Sequence, residues 1–594
     1  MTTGTPPATE VLSPSVGYAK TIGPGRAVVW PLLVVVFFAA NAPLLTWMEF
    51  SNTMENLVVA TAMEVRRTGH WLLPTLEGES RTKKPPLVAW ITAAAIRPQT
   101  LREISNQDPT AREAAYRRLA WEARWPSLLA ACLMLVAVYE FGRAIGDDQK
   151  APTFGLVAAL VCGGSFFFLR FGRTATSDVH LALWVNATNA FLAHAVFQRR
   201  RWIGCIGAGV AGGLAFMSKG PVSLLQTIVP LAAFLLWRRR RGGDEVASAV
   251  NGGWLYPSLA GVLAWAAVAL PWYAAVLMHA GGGQQWSVWL KEVMRADTVR
   301  SDSPITYLLL VPYFVPWIPF LAIGGWLAIS VALGREVDEE DRWSAGRLVL
   351  PLLLVLLPLA VMVCFKDRKD RYLFPLIGPT AVLCALGLFH FIRHPSVYLD
   401  RLQWVFLAVM VLVVPVAGAI GLVKGLRDSA GRPWYGALTG LAAAIALLLL
   451  LVVAYMVYRR RRSAIALAVG TTAVMLAWHA VFMAGYTRAP YARSEMMDLA
   501  HKIWSAHPDA VIYNAHPDPN KRLSPDLSIY LNRPTPWISA QQVSNLLPAE
   551  RTQLIVMVVR PRTKPPAPPP GATLFLDYPH DEDHWRIYAL PARP

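Results

Sequence analysis

The chain is poor in charge. Only 16% of its 594 residues are Asp, Glu, Lys or Arg, whereas about a quarter is usual for a soluble protein. Hydrophobic residues make up 55%, and apolar runs of roughly twenty residues, the length that crosses a bilayer, recur along the sequence. The scarcity of charge excludes an ordinary soluble protein and indicates an integral membrane protein.

The chain also lacks the spacings that create disulfide frameworks or metal sites. Its five cysteines all lie in or beside apolar runs, where small buried side chains are expected: Cys132, Cys162, Cys205, Cys364 and Cys384. His70, His180 and His279 form no ligand pattern by themselves. We therefore predict no structural metal from spacing.

Acidic residues are the scarcer of the two signs, with 38 against 56 basic residues and a net charge of +18. The basic residues flank apolar segments and do not form a soluble basic face, so no nucleic-acid partner is expected. Dense basic runs at Gln198–Arg201, Arg238–Arg241 and Arg459–Arg462 fall on one side if each apolar run crosses once. By the positive-inside rule that side is cytoplasmic, as is the N-terminus.

About thirteen apolar runs between Val28 and Met483 are long enough to span, among them Tyr307–Leu333, Leu402–Val423 and Tyr435–Tyr458. We predict a polytopic α-helical membrane protein. Residues 1–26 form a cytoplasmic segment without a cleavable signal peptide, and residues 27–485 form the transmembrane domain, which includes an outer loop at 48–124. Residues 486–594 form a small outer α/β domain.

Local patterns predict elements on the outer side. Within the loop, Asn56–Arg67 and Leu87–Ile96 have helical apolar patterns typical of interfacial helices, whereas Pro98–Arg124 is charged and predicted to be a solvated loop or helix. The tail is predicted to contain four strands and two helices: Ala510–Tyr513, Leu554–Val559, Thr573–Leu576 and Trp585–Leu590, with helices at Ser494–Ser505 and Ala540–Leu547.

Four short basic clusters oppose this topology because they lie on the outer side. They are Lys83-Lys84, Arg170 with Arg173, Lys219, which opens a predicted tight turn Lys219-Gly220-Pro221, and Lys366–Arg371. Each abuts an apolar run. Cations collected at one membrane face against the topology bias indicate that anions are held there.

Three carboxylates join these cations on the outer side: Glu49, Glu55 and Asp178. A carboxylate can act as a base, and cations can stabilise a departing phosphate, so the set suits group transfer from a phosphate-linked donor. Simpler interpretations stay open. Asp178 is placed where a helix N-cap would be, and Lys84 could be an interfacial lysine with a solvated head group.

Longer motifs make the sequence recognisable. The segment that runs from Met54-Glu55-Asn56-Leu57 through Gly69–Gly78 to Lys84–Trp90 resembles the bacterial aminoarabinose transferase and protein O-mannosyltransferase-like family of polyprenyl-phosphate-sugar glycosyltransferases. Gly213–Pro221 and Pro271-Trp272-Tyr273 are similar to later family motifs in the same order. The resemblance covers roughly Val28 to Pro379.

The resemblance implies a C-type glycosyltransferase fold in the bacterial inner membrane, with the outer loop and tail in the periplasm. It implies transfer of a sugar from a polyprenyl-phosphate donor to a lipid, glycan or protein acceptor, among membrane lipids. The catalytic candidates are Glu55 and Asp178. The candidates for binding the donor phosphate or substrate are Lys84, Arg173, Lys219, Arg371 and Tyr372, with Glu49, Lys83 and His70 as additional candidates.

Three positions depart from the family pattern. Met54 stands in place of an Asp that is the family's expected base, His70 in place of an Asp, and Lys83 in place of a Glu linked to metal binding. No cofactor is implied with certainty, and the use of a divalent metal is left open. Two alternatives follow: a catalytically degenerate relative that binds polyprenyl lipid, or a membrane transporter, which would also place charges in its spans.

Overall fold

The structure is a computed structural model of the whole chain. It describes residues 25–46, 50, 53–146, 151–241, 253–279, 285–290, 303–335, 346–394, 464–486, 495–515, 525–559, 567–580 and 583–593. The predicted spans Leu402–Val423 and Tyr435–Tyr458 lie outside these residues.

The described residues are predominantly helical. The first eleven helices are α1 Arg26–Asn41, α2 Thr53–Thr68, α3 Leu87–Ala95, α4 Pro98–Ile104, α5 Pro109–Ile145, α6 Ala151–Gly163, α7 Phe166–Phe171, α8 Ser177–Phe197, α9 Arg201–Lys219, α10 Val222–Leu225 and α11 Ile228–Arg240. The others are α12 Leu255–His279, α13 Leu310–Tyr313, α14 Ile318–Leu333, α15 Val349–Val363, α16 Ile377–Arg393, α17 Ala464–Tyr486, α18 Glu495–Ala506, α19 Pro525–Leu531 and α20 Ala540–Ser544. Residues 285–290 are also helical.

Shorter elements complete the secondary structure. The 3₁₀ turns are Ala42–Thr46, Pro304–Leu309 and Asp370–Leu376. The strands are β1 Thr75–Leu76, β2 Glu79–Ser80, β3 Val511–Asn514, β4 Gln553–Val559, β5 Thr573–His580 and β6 Asp583–Leu590. The strands and helices predicted for the tail are thus present, with ends shifted by a few residues.

Helix α5 is the longest element, with 37 residues. The Asp108 carboxylate caps its first turn by accepting from the backbone NH groups of Thr110 and Ala111. The prediction that Pro98–Arg124 is a solvated loop or helix is correct only in part. The stretch is mostly helical with one exposed side, but Tyr116 and Leu119 are fully buried, because its apolar face packs against α2 and the tail.

Helices α8 and α9 pack side by side and are joined by the basic run at 198–201. Helix α8 has 21 residues, hence a length of about 31 Å at 1.5 Å per residue, which matches the hydrocarbon core of a bilayer. The chain therefore carries Asp178 at one end of this pair and the arginine run at the other. Lys219, the last residue of α9, returns to the Asp178 end.

Glycines allow close helix packing around this pair. A Cβ on Gly209 of α9 would collide with the backbone carbonyl of Gly261 in α12, and a Cβ on Gly324 of α14 would collide with that of Leu383 in α16. Bare backbone at these positions lets helices approach more closely than larger side chains allow, as is common in membranes.

Five of the described helices are long and apolar enough to cross a membrane, namely α5, α9, α12, the α10–α11 unit and Asp370–Arg393. The predicted span Tyr307–Leu333 is not one continuous helix, because it is broken into two helices bent by 109°. Pro312, Pro316 and Pro319 explain the break, since proline lacks an NH donor and disrupts a helix. The total of about thirteen spans stays a prediction.

The tail forms a four-stranded sheet in the order β3-β4-β6-β5, in which β3 and β4 are parallel and the other pairs antiparallel. One small apolar cluster, which includes Val543 and Ile555, lies entirely within the tail, whereas a larger one joins the tail to α2 and the start of α5. The Tyr116 hydroxyl, for example, donates to the Tyr530 carbonyl at 2.6 Å. The predicted boundary between residues 485 and 486 therefore stays a prediction.

Candidate active site

Asp178 lies in the first turn of α8, and its carboxylate is buried among cations. Thr176 occupies the N-cap position, so the N-cap interpretation of Asp178 is wrong. One carboxylate oxygen, Oδ1, accepts a close hydrogen bond from the Lys219 ammonium, and Oδ2 lies 3.7 Å from Arg371 Nε. The structure thus brings one buried carboxylate and two cations together from three distant parts of the chain.

The turn after α9 places Lys219 there. Gly220 has φ = 79°, a left-handed conformation that favours glycine, and Pro221 is the N-cap residue of the short helix α10. The Lys219 ammonium also lies 4.3 Å from the centre of the Tyr372 ring, at a cation–π distance. We call Asp178, Lys219, Arg371 and Tyr372 the Asp178 cluster.

The 3₁₀ turn Asp370–Leu376 carries Arg371 and is held by its first residue. Asp370 Oδ2 accepts from the Tyr313 hydroxyl at 2.5 Å and from Arg170 Nη2 at 3.3 Å, while Oδ1 accepts from the backbone NH of Arg371 at 2.8 Å. Tyr313 lies at the end of α13, where the bent helix pair turns, and its ring stacks on Phe167. The bend thus positions a tyrosine that fixes the turn.

Glu55 occupies a different environment from Asp178. Its carboxylate is fully buried and forms a two-pronged pair with Arg124, with distances of 2.7 Å from Nε to Oε1 and 2.9 Å from Nη2 to Oε2. Oε1 also accepts from the backbone NH of Ala175 at 2.9 Å. Arg124 uses its third nitrogen on the Leu45 carbonyl. Glu55 therefore connects α2, α5 and the 172–176 loop that precedes Asp178.

Arg173, in the same loop, is buried beside this pair, and it interacts electrostatically with both Arg124 and Glu55. Burial is the main cause that lowers the pKa of the Arg173 guanidinium to about 10, and the nearby positive charge of Arg124 also lowers it. The group therefore stays charged at neutral pH. Among the described side chains, Nε and Nη1 of Arg173 have no hydrogen-bond partner.

Lys84 precedes α3 and is half-buried. It is close enough to Lys219 for the two ammonium groups to interact electrostatically. The residue two before it is held by the 285–290 helix: the Thr82 carbonyl accepts from Trp289 Nε1 at 2.8 Å and from Gln285 Nε2 at 3.2 Å. Lys84 is therefore held at the edge of the Asp178 cluster.

The structure does not gather all of the predicted residues. Glu49 lies outside the described residues. Lys83 and His70 are exposed, and no described contact connects either of them to the Asp178 cluster. The candidates instead form two groups: the Asp178 cluster with Lys84, and Glu55 with Arg173.

Four residues in or beside these groups were not among the predicted site residues: Arg124, Tyr313, Asp370 and His479. Arg124 could have been singled out from the sequence, because an arginine beside a predicted span needs an anionic partner. His479 lies in a long apolar run, where a buried histidine is also notable. The roles of Tyr313 and Asp370 depend on the bend between α13 and α14, which no local pattern specified.

No group of three or more His, Cys, Asp or Glu side chains that could hold a metal ion occurs in the part of the chain that the structure describes.

Known proteins resemble the chain in sequence and in structure. Residues 117–272 match the family model described as dolichyl-phosphate-mannose-protein mannosyltransferase. An undecaprenyl phosphate-alpha-4-amino-4-deoxy-L-arabinose arabinosyl transferase of Shewanella sediminis is 24% identical over 55% of this chain and 54% of its own length. A second transferase of that name from Pseudomonas fluorescens is 24% identical over 73% of this chain and 68% of its own length.

The crystal structure of ArnT from Cupriavidus metallidurans bound to undecaprenyl phosphate matches with a TM-score of 0.66 and 15% identity, over 95% of this chain and 98% of that one. The protein is thus a multi-pass membrane protein with the C-type glycosyltransferase fold, as predicted. It is a relative of the polyprenyl-phosphate-sugar glycosyltransferases, which confirms the resemblance seen in the sequence. The chain spans about half the length of several curated relatives that it matches.

Proposed function

We propose that the protein is a glycosyltransferase of the bacterial inner membrane that transfers a sugar from a polyprenyl-phosphate donor to a lipid, glycan or protein acceptor. The observation that carries the proposal is the Asp178 cluster, a buried carboxylate facing Lys219 and Arg371. The names of the sequence relatives, which specify undecaprenyl-phosphate-linked aminoarabinose, support this donor class.

In the proposed reaction, the Asp178 carboxylate takes the proton of an acceptor hydroxyl. The acceptor oxygen attacks the anomeric carbon of the sugar, and the bond between that carbon and the phosphate oxygen breaks. Polyprenyl phosphate leaves with the electron pair, and its increased negative charge is stabilised by Lys219, Arg371 and Lys84. Base catalysis contributes roughly 10²–10⁴-fold in comparable reactions, and preorganised cations stabilise the developing charge.

Asp178 is the better candidate for the base than Glu55. The carboxylate of Glu55 already accepts from two arginine nitrogens and a backbone NH, and it is fully buried. Taking up a proton would break this network. We therefore assign Glu55 to the positioning of the 172–176 loop, and through it of Asp178.

The proposed orientation places the Asp178 cluster, the outer loop and the tail in the periplasm, and the N-terminus in the cytoplasm. Arg199–Arg201 and Arg238–Arg241 lie at the opposite ends of α8, α9 and α11 from Asp178 and Lys219. The positive-inside rule assigns the arginine-rich ends to the cytoplasm. Labelling of single cysteines introduced at either end would test this orientation.

The function is tested with purified protein in lipid nanodiscs. Undecaprenyl-phosphate sugars, including the aminoarabinose donor, are supplied with candidate acceptors, and released undecaprenyl phosphate is measured. We expect release by wild type and by the control Asp498→Asn, an exposed helix position, and strongly reduced release by Asp178→Asn.

Equal release by folded Asp178→Asn would remove Asp178 from the mechanism. Lipid binding without release across the panel would instead support the degenerate alternative that Met54 suggests. In that case Met54→Asp is the variant to test, because it restores the carboxylate of the family pattern.

A further inference from the structure

Arg124 and Arg173 are neighbouring buried arginines, but only Arg124 forms an ion pair with a described carboxylate. Arg124 is 1% exposed, and its charge is matched by Glu55. Arg173 is 9% exposed and forms no ion pair with any described carboxylate. Glu55 interacts with Arg173 electrostatically, but its oxygens are already bonded to Arg124 and Ala175. The set therefore buries one more positive charge than negative charge.

A buried guanidinium without a matched anion is unfavourable, because desolvation removes its interactions with water and nothing of opposite sign replaces them. Two of the three nitrogens of Arg173, Nε and Nη1, also lack hydrogen-bond partners among the described residues. In a membrane protein a buried ionisable group of this kind indicates a functional site, and an anionic ligand would supply the missing partner.

Two further unused polar groups lie in the same region. His479 of α17 is 4% exposed, its Nε2 has no described partner, and it interacts electrostatically with Arg173. The Thr176 hydroxyl, in the same loop as Arg173, is buried and likewise lacks a partner in the described chain. Guanidinium, imidazole and hydroxyl groups are all donors to phosphate oxygens.

We propose that Arg173, with His479 and Thr176, forms a phosphate subsite beside the Asp178 cluster and holds a phosphate group of a lipid substrate. The inference rests on the proposed function, in which at least one substrate is a phosphorylated lipid. The phosphate belongs either to the polyprenyl donor or to a phosphorylated acceptor lipid. The Glu55–Arg124 pair fixes the loop that carries the subsite.

The proposal makes opposite predictions for the two arginines. Methionine is close to arginine in length but has no charge. Without phosphate, Arg173→Met should unfold at the same temperature as wild type or higher, because it removes an unmatched buried charge. Arg124→Met should unfold at a lower temperature, because it removes the two hydrogen bonds to the Glu55 carboxylate and the one to the Leu45 carbonyl. A purely structural role for Arg173 predicts that both variants lose stability.

Ligand-dependent stabilisation is the second readout. Thermal unfolding in nanodiscs is followed with inorganic phosphate and with chloride at equal ionic strength, and the control is Arg117→Met, which alters an exposed arginine. We expect phosphate to raise the midpoint of wild type and of the control, and to raise that of Arg173→Met and His479→Phe less. An unchanged phosphate effect in Arg173→Met would overturn the proposal.

Two lipid probes distinguish the source of the phosphate. Short-chain polyprenyl phosphate, compared with the matching polyprenol, tests the donor, and phosphatidic acid tests a phosphorylated lipid of another kind. A stabilisation that needs Arg173 and occurs only with polyprenyl phosphate assigns the subsite to the donor, and one that occurs with phosphatidic acid assigns it to the acceptor. If wild type transfers sugar but neither lipid depends on Arg173, this inference fails and the proposed function stands.

Discussion

The Glu55–Arg124 pair offers the sharpest test of how the site is held together. Both side chains are 1% exposed and meet through two hydrogen bonds. Removing one partner of such a buried pair leaves an unmatched charge and costs about 3–5 kcal/mol. Since about 1.4 kcal/mol is a factor of ten in an equilibrium constant, either Glu55→Met or Arg124→Met should lower the folded-to-unfolded ratio by roughly 10²–10³-fold or more.

Arg124→Met should lie at the upper end of this range. It also removes the hydrogen bond to the Leu45 carbonyl and the contact of the guanidinium with the Phe50 ring, 4.7 Å from its centre. The double variant removes both charges together, so it should cost clearly less than the sum of the two single changes. It leaves the Ala175 NH and the Leu45 carbonyl without these partners, at about 1–3 kcal/mol each.

The assay is a double-mutant cycle on thermal or denaturant unfolding in nanodiscs. We expect a coupling energy at the upper end of the usual range for contacting residues, about 2–3 kcal/mol. The exposed pair Glu113–Arg117 is the control, and it should give at most about 1 kcal/mol. Additivity of Glu55→Met and Arg124→Met within about 0.5 kcal/mol would refute the role given to this pair.

Two further predictions concern positioning and pH. Asp370→Asn should lower turnover roughly 10–100-fold with little change in thermal stability, because it loosens the turn that carries Arg371. Asp370→Glu should restore part of the turnover, and unchanged turnover in Asp370→Asn would contradict the positioning role. Burial is the main cause that lowers the pKa of His501 below 6.5, and the positive charge of Arg112 lowers it further. The unfolded chain therefore takes up this proton at a higher pH than the folded chain does. The contribution of His501 to the free energy of unfolding is complete above about pH 6.5 and is lost as the pH falls towards the lowered pKa. Wild type should therefore lose more thermal stability between pH 8 and pH 5 than His501→Gln, and equal losses would exclude this linkage.

Much of the local structure followed from local pattern. The helix at Leu87, the Lys219-Gly220-Pro221 turn and the strands of the tail lie within a few residues of their predicted positions. Each has a local physical cause, such as apolar periodicity or a glycine with positive φ. Asp178 and Lys219 were also predicted to lie at the same membrane face. If each apolar run crosses the membrane once, the start of one span and the end of the next lie on the same side.

The pairing of those residues could not be predicted. Glu55 and Arg124 are 69 positions apart. Nothing in the sequence around either residue shows that Glu55 pairs with Arg124 whereas Asp178 pairs with Lys219. The decision depends on how α2, α5 and the 172–176 loop pack. Without that packing, Glu55 and Asp178 were equivalent candidates for the base; in the structure, only Asp178 lies in the cluster with Lys219 and Arg371.

The bend between α13 and α14 was missed for a related reason. From hydropathy alone, residues 307–333 are predicted to be one apolar span. Three prolines in eight residues are the local sign of a break. The consequence of the break is long-range, since it brings Tyr313 to Asp370, 57 residues further along the chain. Local rules can predict that a helix breaks, but not what the broken end will contact.

The most direct test of the central claim compares Asp178→Asn with Glu55→Gln in a single-turnover transfer assay at saturating donor, with rates normalised to folded protein. The account predicts that Asp178→Asn lowers the transfer rate roughly 10²–10⁴-fold while staying folded. Glu55→Gln should lower stability, and its folded fraction should transfer sugar faster than Asp178→Asn. A folded Asp178→Asn that transfers at the wild-type rate would contradict the account.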